Sequence, residues 1–198
     1  REETGVTLSN LNLGGGYGVR YTAEDEAIDI PARLAELAAY LKEETERLGL
    51  PMPRFLMEPG RSIVADAGMT LYTVGSVKRI PGYKQYAAVD GGMTDNPRYA
   101  LYQSRYTVYH AHKSGSMERF DVVGRCCESG DIIQSGVELP GDTCRGDILA
   151  VCTTGAYNYS MASNYNRLPR PAVVMLTPDR IYEAVRRETF ADLTGLDL

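Results

Sequence analysis

Residues 6–13, "VTLSNLNL", alternate apolar and polar positions and then run into Gly14, Gly15 and Gly16. Alternation with period two predicts a strand with one buried face, here ending in a glycine loop. The segment "IPARLAELAAYLKEETERLGL" instead spaces Leu34, Leu37, Ala38 and Leu41 at helical intervals, with Pro31 at its start and Gly49 at its end. That is an amphipathic helix with start and stop signals. "PRFLMEPGRSI" follows as a short apolar strand broken by Pro59-Gly60. The first sixty residues therefore read strand, glycine loop, helix, strand, loop, a βαβ-type unit.

From about Ala65 the pattern changes. "MTLYTVGSVKRI", "YKQYAAVDGG", "RYTVYHAH", "RFDVVGRCC", "GDILAVCTTGAY", "RPAVVML" and "RIYEAVRR" are short runs rich in Val, Tyr, Thr and Ile, separated by Gly, Pro and Asp. Such runs predict an all-β antiparallel barrel or sandwich. "RETFADLTGLDL" predicts a short terminal helix. Two units are expected, 1–64 and 65–198. One βαβ unit cannot cover both faces of a parallel sheet, so 1–64 is expected to be the end of a larger α/β domain, and the opening Arg1 fits a cut chain.

Composition narrows the function. Lys and Arg number 21 against 26 Asp and Glu, with no basic block, which argues against nucleic acid or an anionic membrane as partner. No apolar run is long enough to cross a bilayer. Cys126, Cys127, Cys144 and Cys152 form no CxxC pair, and only His110 and His112 could add imidazole ligands. No metal site is expected, and the thiols suit a reducing, cytoplasmic compartment. The two histidines are expected to share one side of a strand, as solvated edge residues. Tyrosine dominates the aromatics, 14 against 3 Phe and no Trp, which suits half-buried surfaces and polar pockets.

Chemistry gathers in five turns. The Gly14–Gly16 loop fails the dinucleotide pattern because Val19 holds the third glycine's place, yet it could cradle a phosphate or be a tight turn. "EPGRS", Glu58 to Ser62, is either a second anion loop or a turn carrying a Glu58–Arg61 surface ion pair. Two such loops one strand–helix step apart match the phosphate end of an α/β barrel. "GRCCESGDI" sets a thiol beside a carboxylate, as a proton donor beside a cation acceptor or as a buried Cys-Cys filler. "DGGMTDNPRYALY" brings Arg98 and Tyr102, and "TTGAYNYS" brings Tyr157.

Taken in order, "LGGGYG", "EPGR", "DGGMTDNPRYALY", "CESGD" and "TGAYNYSMASNYN" resemble the diaminopimelate decarboxylases, pyridoxal-phosphate enzymes of the alanine racemase-like, fold-type III group. The glycine and EPGR motifs are shared with ornithine and arginine decarboxylases. Glu128 after the cysteine is more discriminating, since the ornithine branch usually has Asp there. The resemblance covers essentially the whole chain and implies the end of a cofactor-binding TIM-like barrel followed by a β domain. It implies that Gly14, Gly15, Gly16, Glu58, Pro59, Gly60 and Arg61 surround the cofactor phosphate and that Tyr157 lies near cofactor and substrate. It implies that Arg61, Arg98 and Tyr102 hold the carboxylates of meso-diaminopimelate, that Glu128 binds its distal ammonium, and that Cys127 is the proton donor. Cys127 and Glu128 would reach the partner's site in a homodimer with active sites at the interface.

The chain departs from the family in one respect. None of Lys42, Lys78, Lys84 and Lys113 matches the motif of the cofactor lysine, and the stacking histidine of the early barrel has no counterpart. The sequence is therefore expected to be the carboxyl-terminal part of the enzyme, inactive without the amino-terminal barrel segment. Decarboxylation of ornithine, arginine or carboxynorspermidine, and a non-catalytic β dimerisation module, are the rival readings.

Overall fold

The computed structural model describes Glu3 and residues 5–198. Its first part is the expected strand–helix–strand unit. β1 (Asn10–Asn12) pairs in parallel with β2 (Arg54–Leu56), joined by α1 (Ile30–Arg47). The Asp29 carboxylate caps α1 by accepting the Ala32 N–H at 3.0 Å, with Pro31 in the first turn. The paired strand is shorter than the alternating run 6–13, because β2 offers only three partners. α1 buries no residue fully, and Leu8, Met52 and Ile63 are more than half exposed. The unit is a two-stranded parallel pair and does not close a barrel.

After the short helix α2 (Arg61–Val64) come β3 (Met69–Ile80), β4 (Lys84–Val89), the helix α3 (Arg98–Tyr102), β5 (Val108–His110), β6 (Met117–Val123), β7 (Ile132–Pro140) and β8 (Ile148–Cys152). These six strands form one sheet in the order β5-β8-β3-β4-β6-β7, curled into a nearly closed barrel. Alternate residues point inward, so Tyr72/Val74, Ala87/Val89, Phe120/Val122, Val137/Leu139 and Leu149/Val151 make the core, each at most 7% exposed. The seam between β5 and β7 is bridged by a side chain: Gln134 Oε1 accepts the Tyr106 N–H at 2.9 Å. Beyond the barrel lie β9 (Val173–Leu176) and β10 (Ile181–Val185), an antiparallel pair, and α4 (Phe190–Thr194) with a Thr189/Asp192 capping box.

Three expectations need correction. The sheet is not wholly antiparallel, since β4 and β6 run parallel through Tyr86↔Asp121, Ala87↔Val122 and Ala88↔Val123. The chain between them crosses over through α3 and β5, which makes parallel pairing possible. Strand β7 was not predicted, because Gln134-Ser135-Gly136 interrupts its alternation. There Ile133 and Gln134 are both buried, the pairing with β6 shifts register, and Gly136 sits at φ +69.

The histidines are the third. His112 lies outside the strand, whereas the His110 side chain is only 2% exposed. His110 Nδ1 accepts the N–H groups of His112 (3.2 Å) and Lys113 (2.9 Å), and its Nε2 lies 3.1 Å from Asp147 Oδ2. Asp147 also takes the Lys113 ammonium at 2.7 Å and the Cys144 N–H at 2.8 Å. Burial alone would raise the Asp147 carboxyl, but its bonds from Lys113, the Cys144 amide and His110 outweigh that and hold it below the ordinary carboxylate range.

A depressed carboxyl stabilises the fold above the ordinary carboxylate pKa, about 4, and that contribution fades as pH falls through and below it. Asp147→Asn is therefore expected to lower unfolding free energy by about 1–2 kcal/mol at pH 7. The gap to wild type should shrink steadily below about pH 4 in urea titrations.

Candidate active site

The loop after β8 meets the segment between α2 and β3 through glycine. Thr154 N–H donates to Gly68 O and Gly155 N–H to Ala65 O, both at 3.0 Å. A Cβ on Gly68 would sit 2.4 Å from Gly155 Cα, and one on Gly155 would sit 1.9 Å from Val64 O. Only glycine lets these backbones touch. The contact carries Tyr157 (φ +72) towards the EPGR loop, where a Cβ on Gly60 would come 2.7 Å from the Tyr157 hydroxyl.

The two glycine-bearing loops are also adjacent. Glu58 N–H donates to Gly14 O at 2.7 Å, and a Cβ on Gly15 would fall 2.2 Å from Glu58 O. Gly14 and Gly16 take φ +70 and +91, conformations costly for other residues. Glu58 makes no ion pair with Arg61. Its Oε1 instead accepts Asn12 Nδ2 at 2.5 Å, which frees Arg61 to point elsewhere.

Arg61 helps to line a cavity of about 550 Å³ with Tyr21, Arg98, Tyr102, Arg105 and Tyr157, completed by Ser104 and Met161. The Arg61 guanidinium lies 5.8 Å from the Tyr21 ring centre and 5.6 Å from that of Tyr157. Arg98, 6% exposed, lies 5.3 Å from Tyr157 and 5.1 Å from Tyr102. One tyrosine ring thus serves two guanidinium groups. Among the described residues no carboxylate lines the cavity, and the Nε atoms of Arg61 and Arg98 are buried without a hydrogen-bond partner. Cations packed this way attract anionic groups that can accept those N–H bonds.

Burial raises the Tyr106 phenol, and Asn158 and Arg98 oppose that shift without reversing it. The sequence reading had not singled out Tyr21, Ser104, Arg105 or Met161. Tyr21 reaches the cavity because its ring packs edge-on against Tyr106 at 5.5 Å and its carbonyl accepts the Thr107 hydroxyl at 2.8 Å.

Cys127 and Glu128 do not line this cavity. They are exposed on the turn between β6 and β7, so the buried-filler reading of the Cys-Cys pair does not hold for Cys127. Glu128 Oε1 accepts the Gly130 N–H at 3.3 Å, and Glu128 Oε2 lies 3.5 Å from the Tyr165 hydroxyl. Tyr165, also not anticipated, has its phenol pushed up by burial and by Glu128. Each chain therefore displays two separate groups of candidate residues.

Comparison with known proteins decides the family. A family model described as "Pyridoxal-dependent decarboxylase, C-terminal sheet domain" matches residues 21–155. The chain belongs to this family. Similarity extends past the matched region. Diaminopimelate decarboxylase of Bacillus subtilis is 50% identical over 190 residues, 95% of this chain and 43% of that protein. The crystal structure of diaminopimelate decarboxylase from M. jannaschii in complex with L-lysine superposes with a TM-score of 0.86 at 32% identity. The superposition covers 100% of this chain and 44% of that one. Lysine/ornithine decarboxylase of Vibrio vulnificus complexed with cadaverine gives 0.69 at 27% identity, covering 81% and 41%. The chain thus spans a little under half the length of the relatives it matches.

As a member of a pyridoxal-dependent family, the chain can be tested for fit to that cofactor. The partnerless guanidinium Nε atoms of Arg61 and Arg98 suit an anionic group such as a phosphate or a carboxylate. Among the described residues no lysine lines the cavity: Lys84 is bound to Asp121 at 2.6 Å and Lys113 to Asp147 at 2.7 Å. The lining thus offers groups that would hold an anion but no amine that could attach the cofactor.

Gly155→Ala is expected to cost about 1–3 kcal/mol of stability, because the new methyl must displace backbone rather than a flexible side chain. Denaturant unfolding of wild type and variant measures the loss.

Proposed function

We propose that this chain is the carboxyl-terminal portion of a decarboxylase that converts meso-2,6-diaminopimelate to L-lysine and CO2. The observation that carries the reading is the carboxylate-free cavity in which Arg61 and Arg98 flank Tyr157 beside the paired glycine loops. Extensive identity to diaminopimelate decarboxylases supports it. Residues 1–64 are the end of a TIM-like barrel, which accounts for their parallel strand pair and exposed apolar side chains. Residues 65–198 are the β domain. The remaining barrel would cover those side chains and supply the lysine that carries the cofactor, so the chain alone is inactive. Four free cysteines suit a cytoplasmic enzyme.

Bound pyridoxal phosphate supplies the electron sink that lets a carboxylate leave as CO2. Gly14, Gly15, Gly16 and Glu58 to Arg61 hold the phosphate, and Tyr157 orients cofactor and substrate. Arg61, Arg98 and Tyr102 hold substrate carboxylates. In a homodimer, Cys127 and Glu128 serve the partner's cavity. Glu128 accepts the distal ammonium, and the Cys127 thiol gives its proton to the carbon that has lost CO2. Reading both ends of a doubly zwitterionic substrate requires both kinds of group, which is how lysine and ornithine are rejected.

In the full-length enzyme, Cys127→Ala is expected to lower kcat for diaminopimelate by at least about 100-fold. Glu128→Ala should lower kcat/KM and narrow the preference for diaminopimelate over ornithine, measured by CO2 release. A wild-type enzyme acting on ornithine but not diaminopimelate would sink this reading.

A further inference from the structure

Asp131 is the last residue of "CESGD" and has no role in the account above. It is 4% exposed, and among the described residues no lysine or arginine pairs with it. Backbone N–H groups satisfy it instead. Asp131 Oδ1 accepts the Met93 N–H and Oδ2 the Cys126 N–H, each at 2.6 Å. These amides belong to different turns. Met93 lies in the loop that leads to Arg98, and Cys126 opens the turn that presents Cys127 and Glu128.

Glycine makes the joint possible on both sides. A Cβ on Gly92 would come 2.4 Å from Asp131 Oδ1, and one on Gly124 would come 2.2 Å from Oδ2. The Asp131 main chain adds to the clasp, its carbonyl accepting the Gly124 N–H at 2.8 Å and its N–H donating to Glu128 O at 3.1 Å. A third strut, Arg125 N–H to Gly91 O at 3.3 Å, ties the same two turns.

We propose that Asp131 is a positioning residue that fixes the Cys127–Glu128 turn against the Arg98 loop, coupling the group each chain keeps for its own cavity to the group it lends its partner. The inference rests on the functional reading above. Charge-assisted N–H bonds are short and directional, so a turn held by them has little freedom to drift. The buried carboxylate also separates the two neighbouring thiols. Burial and the Asp131 carboxylate push the Cys126 thiol up to about 11, so it stays protonated and unreactive, while Cys127 is left exposed at the tip.

Asp131→Asn keeps the shape but turns an NH2 group towards one of the two N–H donors. In the full-length, cofactor-loaded enzyme it is expected to lower kcat/KM for diaminopimelate about 100-fold, through both kcat and KM, as misplacement near 1 Å does. Iodoacetamide labelling of Cys126, slow beside that of Cys127 in wild type, should rise at least about tenfold in the variant. A purely structural role would lower the melting temperature and leave the labelling ratio and the constants of the folded enzyme unchanged. That result would overturn the proposal.

Should the variant not fold, hydrogen exchange on the wild type decides. Slow exchange at the Met93 and Cys126 amides supports the clasp, and exchange at the rate of the free loop overturns it. If wild-type enzyme does not decarboxylate diaminopimelate, the functional reading fails while labelling and exchange still test the clasp.

Discussion

The contact on which the site depends is backbone against backbone, between Gly68 at the start of β3 and Gly155 after β8. Two main chains approach this closely only where neither carries a Cβ, and here the approach is fixed by hydrogen bonds from Thr154 and Gly155. Because β3 and β8 are paired neighbours in the barrel, the loop after β8 is pressed onto the junction with α2. Tyr157 is then delivered to Gly60, and the Arg61 and Arg98 guanidinium groups lie 5.6 and 5.3 Å from its ring centre. A larger side chain at either glycine would move the tyrosine away from the loop it now meets.

The electrostatics follow from this geometry. Arg61 and Arg98 are held beside aromatic rings, and among the described residues no carboxylate pairs with either, so they keep their binding capacity for an incoming anion. Elsewhere the chain does the opposite. Lys84, Lys113 and Arg170 are each bound by a carboxylate, and those pairs brace turns or join segments. The contrast separates cations that hold the fold together from cations left for a ligand. Asp131 shows a third arrangement, a buried carboxylate held by backbone amides of two turns without a paired cation among the described residues.

Much of this was legible in the chain. The glycine loop, the capped helix and the long strand β3 announced themselves through periodicity and punctuation, since local sterics fix them. Strand β7 was hidden by its bulge at Gln134–Gly136, where two successive residues face inward and alternation fails. His110 looked like an edge residue because β5 is an edge strand, yet the turn after it folds back and buries the ring. Tyr21 could not be singled out, for its place in the cavity comes from a contact with Tyr106 far along the chain. Glu58 and Arg61, three residues apart and opposite in charge, left open a surface ion pair beside the anion-loop reading, and the structure instead gives Glu58 to Asn12.

The sequence by itself determined the chemistry available: which turns need glycine, which residues bear charge or thiol, and the order that marks the family. These depend on covalent structure and local backbone preference. Tertiary structure alone decided which of them meet. It set Arg61 and Arg98 about one tyrosine ring, kept Cys127 and Glu128 out of that cavity, and placed Asp131 between two turns 38 and 5 residues away. Such meetings depend on how the barrel closes and which backbones can touch, and no local pattern encodes a distance across a fold.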